Sequence, residues 1–168
     1  MSLFSTMCYN AMVPTEPEHQ KYMREALAEA QVAYERGEVP VGAVAVHKGY
    51  VVGRGHNRKE ELADPSAHAE MIALREAAQV LGSWRLSDVT LYCTMEPCPM
   101  CAGAMVLARV PRLVYAVDDP KSGAAGSQFD IVRSPRLNHQ VQVTKGVLAE
   151  EARYLLDLFF NELRGRAE

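Results

Sequence analysis

The sequence predicts an α/β fold in three layers around a mixed β-sheet. Segments with helical periodicity alternate with short valine-rich segments, in the order helix, strand, strand, helix, strand, helix, strand, followed by a more variable tail. The 168 residues are enough for one domain, and 48% of them are apolar while 23% are charged. A packed core is therefore expected, and the composition is not typical of a disordered chain.

The N-terminal segment is predicted to be an extension ahead of one folded domain. Residues 1–17 contain several proline and threonine breaks, so they are interpreted as a loose N-terminal extension, with residues 18–168 as the domain. Apolar residues recur at helical spacing from His19 to Arg36, which predicts the first helix. Gly37 follows where a glycine commonly ends a helix.

The other elements follow from the same periodicities. Strands are predicted at 41–47, 50–52, 89–94, 113–117 and 141–144. Further helices are predicted at 67–80, 97–109 and 148–164, with loops at 57–63 and 118–127. Lys48-Gly49 separates the first two strands by two residues, which predicts a hairpin.

The second helix is expected to carry a pair of functional residues near its start. Asp64-Pro65-Ser66 is a helix-start signal with Ser66 as the expected N-cap, which places His68 and Glu70 in the first turn. Residues two apart in a regular helix point about 200° away from each other. The spacing therefore suits one metal ligand and one neighbour that reaches in from the side.

The stretch Pro97-Cys98-Pro99-Met100-Cys101 is the strongest candidate for a metal site. Two cysteines three apart on one helical turn present both sulfurs to one point, and His68 can supply a third ligand. The N–H groups that open a helix also favour thiolates. Three such ligands suit zinc and leave its fourth tetrahedral position open for water. Glu70 is then the candidate for moving the protons of that water.

Two other interpretations of these residues stay open. A structural zinc site needs a fourth protein ligand, which Cys93 could supply, although Cys93 on a predicted strand is better interpreted as a small buried residue. A redox pair formed by Cys98 and Cys101 would leave His68 and Glu70 without a role.

The charge and the cysteine content limit the possible partners and compartment. A net charge of -3 and a pI near 6.0 argue against a generic nucleic-acid binder, but not against local basic patches. Two groups of residues are candidates for such patches, and each could equally be a solvated face: Arg54, Arg58 and Lys59, and Arg153, Arg164 and Arg166. The N-terminus lacks a typical signal peptide, and no apolar run reaches the roughly 18 residues of a membrane helix. Metal-bound cysteines in a reducing cytoplasm are the preferred interpretation.

The motifs together resemble a known family. His68-Ala69-Glu70 and Pro97-Cys98-Pro99-Met100-Cys101 match the H-x-E and P-C-x-x-C signature of the cytidine deaminase superfamily. Further stretches are similar to the bacterial tRNA adenosine deaminases, and the resemblance extends from about residue 20 to the C-terminus. These stretches are residues 39–43, 55–58, 64–70, 81–86 and 118–127.

The resemblance implies a fold, an activity and a metal site. The fold would be a cytidine-deaminase-like α/β/α sandwich with a five-stranded mixed sheet, and residues 18–168 would be a zinc-dependent deaminase domain. The activity would be hydrolysis of adenosine to inosine at the wobble position of a tRNA anticodon, by zinc-activated hydroxide. His68, Cys98 and Cys101 would hold one Zn²⁺ per subunit, with Glu70 as the proton shuttle. The protein would be a cytoplasmic homodimer that binds the tRNA anticodon stem-loop and no membrane.

The resemblance also implies substrate contacts. Asn57 would contact the flipped nucleoside, and Asp119, with Asp118, would lie near the target ribose and the flanking nucleotide. Phe159 and Phe160 match an aromatic pair of the last helix, and either stacking on the anticodon loop or core packing would explain them. Two alternatives to the function stay open. They are a guanine or cytosine deaminase of the same superfamily and a non-catalytic zinc-stabilised binding module.

Overall fold

The computed structural model describes residues 14–166, in which five helices and five strands follow one another. They are α1 Glu16–Glu35, β1 Gly42–His47, β2 Tyr50–His56, α2 Lys59–Leu62, α3 Ala69–Leu81, β3 Val89–Met95, α4 Pro99–Leu107, β4 Arg112–Val117, β5 Gln142–Lys145 and α5 Ala149–Arg166. The predicted α/β fold with a mixed five-stranded sheet is confirmed. Within these described residues, no helix combines the length and the apolar character needed to cross a membrane.

The five strands form one sheet in the order β2-β1-β3-β4-β5. The strands β2, β1 and β3 pair antiparallel, whereas β3, β4 and β5 pair parallel. Because parallel strands end at the same edge of a sheet, the residues that follow β3 and β4 emerge next to each other. This edge therefore brings Cys98 and the loop from residue 118 to one side of the molecule.

Helices cover both faces of the sheet. Alternation along β1 places Ala43 and Ala45 in the core under α3 and α4, and Val44 and Val46 in the core under α1 and α5. The molecule thus has the three predicted layers.

Helix α3 lies directly on the backbone of β2. A Cβ atom at Gly53 would lie 2.1 Å from the carbonyl oxygen of Ala73, and one at Gly55 would lie 2.2 Å from that of Ala69. The two glycines therefore set the distance between β2 and the beginning of α3.

Several predicted boundaries differ from the structure. Helix α3 begins at Ala69 with His68 as its N-cap, so the predicted N-cap at Ser66 is wrong. The backbone N–H and the hydroxyl of Ser66 instead donate to Asp64 Oδ1, at 2.8 and 2.7 Å, in a turn that precedes the helix. The predicted loop at 57–63 contains the short helix α2.

The first helix also begins earlier than predicted. Helix α1 begins at Glu16, where Glu18 Oε2 accepts a hydrogen bond of 2.8 Å from the backbone N–H of Thr15. The helix therefore includes the last two residues of the predicted extension, and residues 1–13 of that extension lie outside the described residues.

Candidate active site

Three predicted metal ligands meet at the edge of the sheet. His68 Nδ1 lies 3.6 Å from Cys98 Sγ and 3.6 Å from Cys101 Sγ, and the two sulfurs are 3.7 Å apart. A tetrahedral zinc ion with ordinary bond lengths holds two thiolate sulfurs about 3.8 Å apart and a sulfur and a nitrogen about 3.5 Å apart. The residues therefore fit zinc in both chemistry and spacing.

The beginnings of two helices position these ligands. His68 is the N-cap of α3 and Cys98 is the N-cap of α4, both with extended backbone, while Cys101 lies in the first turn of α4. The N-terminal ends of both helices carry partial positive charge, which stabilises thiolates. Because His68 is an N-cap with extended backbone, its side chain is not bound to the direction that a residue inside the first turn would have.

The three side chains differ in how readily they lose a proton. The hydrogen bond to Cys101 lowers the pKa of the Cys98 thiol to about 4. The same hydrogen bond, together with burial, raises the pKa of Cys101, and the contact with Cys98 raises the pKa of His68. Cys98 is therefore the cysteine that ionises more readily, and a metal that binds Cys101 as a thiolate displaces its proton.

Glu70 is a buried carboxyl group in the first turn of α3, two residues after His68. Its side chain is only 3% exposed, and burial raises the pKa of Glu70 to about 7. A group that titrates near neutral pH can both accept and donate a proton under working conditions. Glu70 therefore has the properties of a general acid and base.

Cys93 lies outside the ligand group. Its thiol is fully buried on β3, where burial raises its pKa. The ligand atoms that lie within 4.8 Å of one another belong to His68, Cys98 and Cys101 and not to Cys93. The interpretation of Cys93 as a small buried residue is favoured over that of a fourth ligand.

Asn57 connects the beginning of α3 to the segment before β1. Its Nδ2 donates to the carbonyl of Val39 at 3.2 Å, and its Oδ1 accepts from the N–H of Ala69 at 3.0 Å. The amide is buried, and its contact with Ala69 lies one residue after His68. Among residues 14–166, Val39 is the acceptor that the two Nδ2 hydrogens contact, although the group has two hydrogens to donate.

The two predicted acidic contacts differ in their surroundings. Asp119 is buried, and its carboxylate accepts from the N–H groups of Lys121 and Ser122, at 2.9 and 3.3 Å, and from the Ser122 hydroxyl at 2.6 Å. Asp118 is exposed, and its carboxylate accepts from the Tyr115 hydroxyl at 2.9 Å. The side chain of Asp119 therefore shapes its own loop.

The two phenylalanines of α5 have different exposures. Phe159 is 7% exposed, and its ring packs edge-on against Tyr34 of α1, whereas Phe160 is 41% exposed. The structure thus favours core packing for Phe159 and leaves Phe160 as the ring that faces outward.

Two of the predicted basic contacts are already paired with carboxylates. Arg58 forms a bidentate contact with Glu61, at 2.8 and 3.0 Å, and Arg54 lies 2.8 Å from Glu25. These pairs reduce the positive charge that the two arginines present to an anion.

Glu96, which was not predicted from the sequence, is buried between β3 and α4. It accepts hydrogen bonds from the loop after β4, at the backbone N–H groups of Asp119, Ala125 and Ser127. The available signal was a single acidic residue directly before Pro97, and such a residue has no pattern of its own.

Known proteins resemble this chain in sequence and in fold. The model of the MafB19-like deaminase family matches residues 17–161. A tRNA-specific adenosine deaminase of Bacillus subtilis (strain 168) is 50% identical over 143 residues, which cover 85% of this chain and 89% of the relative. One of Aquifex aeolicus (strain VF5) is 46% identical over 143 residues, which cover 85% and 94%.

Solved structures match as well. One comes from a study of A-to-I editing by tRNA:A34 deaminases at the wobble position of transfer RNA, with a TM-score of 0.78 and 44% identity over 81% of this chain and 99% of that chain. A guanine deaminase from Nitrosomonas europaea has a TM-score of 0.66 and 25% identity over 88% and 85%. The cytidine-deaminase-like fold that the motifs implied is thereby confirmed.

Proposed function

The chain belongs to the tRNA-specific adenosine deaminases of the MafB19-like deaminase family, and we propose that it hydrolyses adenosine to inosine at the wobble position of a tRNA anticodon. One observation carries the proposal. The ligand atoms of His68, Cys98 and Cys101 have the spacing of a tetrahedral zinc site, and the buried carboxyl of Glu70 belongs to the same turn of chain. Three protein ligands leave a coordination position for water, as catalytic zinc sites do.

Zinc bound by His68, Cys98 and Cys101 would supply an acidified water, because zinc lowers the pKa of its bound water to about 7. Glu70 accepts a proton from the attacking water and passes it to a ring nitrogen of adenine, which makes C6 more electrophilic. A second transfer through Glu70 places a proton on the exocyclic amine, which leaves as ammonia. The overall reaction consumes adenosine and water and yields inosine and ammonia.

Other residues would bind and orient the nucleoside. The second Nδ2 hydrogen of Asn57 would donate to the flipped base, because the other amide contacts fix the side chain beside the beginning of α3. The loop that begins with Asp118 and Asp119 would lie beside the ribose and the flanking nucleotide. Phe160 is the better placed ring for stacking on the anticodon loop, because Phe159 is buried.

The partners and compartment complete the proposal. We propose a homodimer in the cytoplasm that binds the anticodon stem-loop. The net charge of -3 means that phosphate contacts must come from local clusters such as Arg153, Arg164 and Arg166. RNA binding should therefore weaken steeply with salt despite the acidic pI.

The comparisons favour adenosine in tRNA over the alternatives. Relatives at 44–50% identity are tRNA-specific adenosine deaminases, whereas the guanine deaminase is only 25% identical. The buried Glu70 in the same turn as a zinc ligand, with three protein ligands, speaks against a non-catalytic module.

The direct test uses two anticodon stem-loops of equal length. One has adenosine at the wobble position, and the matched control has the same adenosine at a neighbouring loop position. Inosine should form in the first RNA and not in the second. Equal conversion of both, or conversion of free guanine or cytosine instead, would refute the proposal.

A further inference from the structure

One buried carboxylate holds the loop that follows β4. Glu96 is 3% exposed and lies two residues before the metal ligand Cys98. Its Oε1 accepts from the backbone N–H groups of Ala125 and Ser127, at 3.0 Å each. Its Oε2 accepts from the N–H of Asp119 at 2.9 Å and from the hydroxyl of Ser127. Four donors of one loop thus converge on one side chain.

The loop packs against this carboxylate without space for another side chain. A Cβ atom at Gly123 would lie 2.3 Å from Glu96 Oε2. The next residue, Ala124, donates its N–H to the carbonyl of Pro97 at 2.8 Å. The loop is therefore bonded to both residues that precede Cys98, and its position is tied to the beginning of α4.

The hydrogen-bonding capacity of the Glu96 carboxylate is limited. An ionised carboxylate only accepts hydrogen bonds and offers about four lone-pair positions. The four donors of the loop occupy this capacity, so Glu96 has none left for a metal or a substrate. Its effect on the reaction must therefore pass through the loop that it holds.

We propose that Glu96 is a positioning residue, which fixes the 119–127 loop relative to the metal site and so keeps the substrate cleft preorganised. This inference rests on the proposed function, in which the loop that carries Asp119 lies beside the target ribose. Without Glu96 the loop populates other positions, and RNA must reorder it on binding. The apparent KM then rises by the inverse of the correctly placed fraction.

The test is Glu96→Gln, which keeps the size of the side chain and replaces one acceptor oxygen with an NH₂ group that faces N–H donors. Hydrogen bonds to charged groups are strong enough that we expect the KM for a wobble-adenosine stem-loop to rise about 10- to 100-fold. Because saturating RNA restores the loop, kcat should stay within about threefold of wild type. Zinc content should not change.

Amide hydrogen exchange gives a second measurement that needs no substrate. The amides of Asp119, Ala125 and Ser127 should exchange faster in Glu96→Gln, while those of β1 and β3 keep their protection. If Glu96 only stabilised the fold, Glu96→Gln would accelerate amide exchange throughout the domain, and it would not raise KM while leaving kcat unchanged. If the wild-type protein forms no inosine, the exchange comparison still tests the loop, so that failure of the proposed function is distinguishable.

Two further variants control the test. Glu38→Gln alters another buried carboxylate, which accepts from the N–H of Glu61 at 2.9 Å, and should leave KM and loop exchange unchanged. Ser127→Ala removes one hydroxyl donor and should give a smaller effect in the same direction, which keeps the proposal testable if Glu96→Gln fails to fold. Unchanged KM and loop exchange in the Glu96 and Ser127 variants, or loss of zinc and kcat at constant KM, would overturn the proposal.

Discussion

The close contact between β2 and α3 predicts that Gly55→Ala disturbs the metal site from a distance. The new Cβ atom would lie 2.2 Å from the carbonyl oxygen of Ala69 and 2.8 Å from the nitrogen of Ala73. Carbon and oxygen atoms in contact normally lie about 3.3–3.6 Å apart, so α3 must move away from β2 by roughly 1 Å. His68 caps α3 and must move with it, whereas Cys98 and Cys101 belong to α4.

A displacement of this size has two measurable consequences. Metal sites tolerate deviations of about 0.2 Å in ligand distances, so zinc affinity should fall at least tenfold. Overpacking should also lower the free energy of unfolding by about 1–3 kcal/mol. Urea unfolding of the zinc-free protein and competition with a zinc chelator measure the two effects separately.

A glycine in an open position provides the control. A Cβ atom at Gly103 of α4 meets nothing within 4 Å, so Gly103→Ala should raise the free energy of unfolding by up to about 1 kcal/mol without weakening zinc binding. If Gly55→Ala matched the wild type in stability and zinc affinity, the idea that β2 positions His68 would have to be abandoned.

Three further predictions concern the backbone, a buried histidine and the metal. Ala63 has φ +48° at the end of α2, a left-handed conformation that is strained for any residue with a Cβ atom. Ala63→Gly should therefore stabilise the fold by about 1 kcal/mol in urea unfolding, and a destabilised variant would contradict the presence of backbone strain at this position. Burial lowers the pKa of His19, which contacts the Tyr92 hydroxyl at 3.1 Å. The unfolded state then binds more protons, so stability is lost as pH falls below the ordinary histidine pKa of about 6.5. The loss of stability between pH 7.5 and 5.5 should be smaller in His19→Gln than in the wild type. An equal loss in both proteins would contradict the role of His19. Zinc binding at pH 7 should release about one proton from Cys101 and a fraction from His68, seen by calorimetry in buffers of different ionisation enthalpy; no release would mean that both cysteines are thiolates beforehand.

The order of the elements was predictable because it depends on local periodicity. The valine-rich strands β1, β3 and β4 were found within one or two residues of their bounds. Helix α2 was missed because four residues are too few to show a helical period. The N-cap of α3 was misplaced because Ser66 has the usual capping chemistry, yet its hydroxyl is used by Asp64 in the preceding turn.

The candidate site also contains residues that could be predicted from the sequence and residues that could not. His68, Cys98 and Cys101 could be predicted, because metal-ligand spacing is visible along the chain. Glu96 could not, since its four donors come from a loop 23 to 31 residues later and meet it only in the folded sheet. The pairing of Arg54 with Glu25 is likewise a contact between β2 and α1 that no local pattern contains.

The most direct test of the account is inosine formation by Glu70→Gln, measured beside its zinc content. Glutamine fills the same buried space but cannot transfer protons, and general acid–base catalysis typically contributes about 10²- to 10⁴-fold. The account predicts one zinc per chain in wild type and variant, with turnover of a wobble-adenosine stem-loop reduced by at least this factor in the variant. A zinc-loaded Glu70→Gln protein that formed inosine at the wild-type rate would contradict the role of Glu70, and an active wild-type protein without zinc would contradict that of the metal.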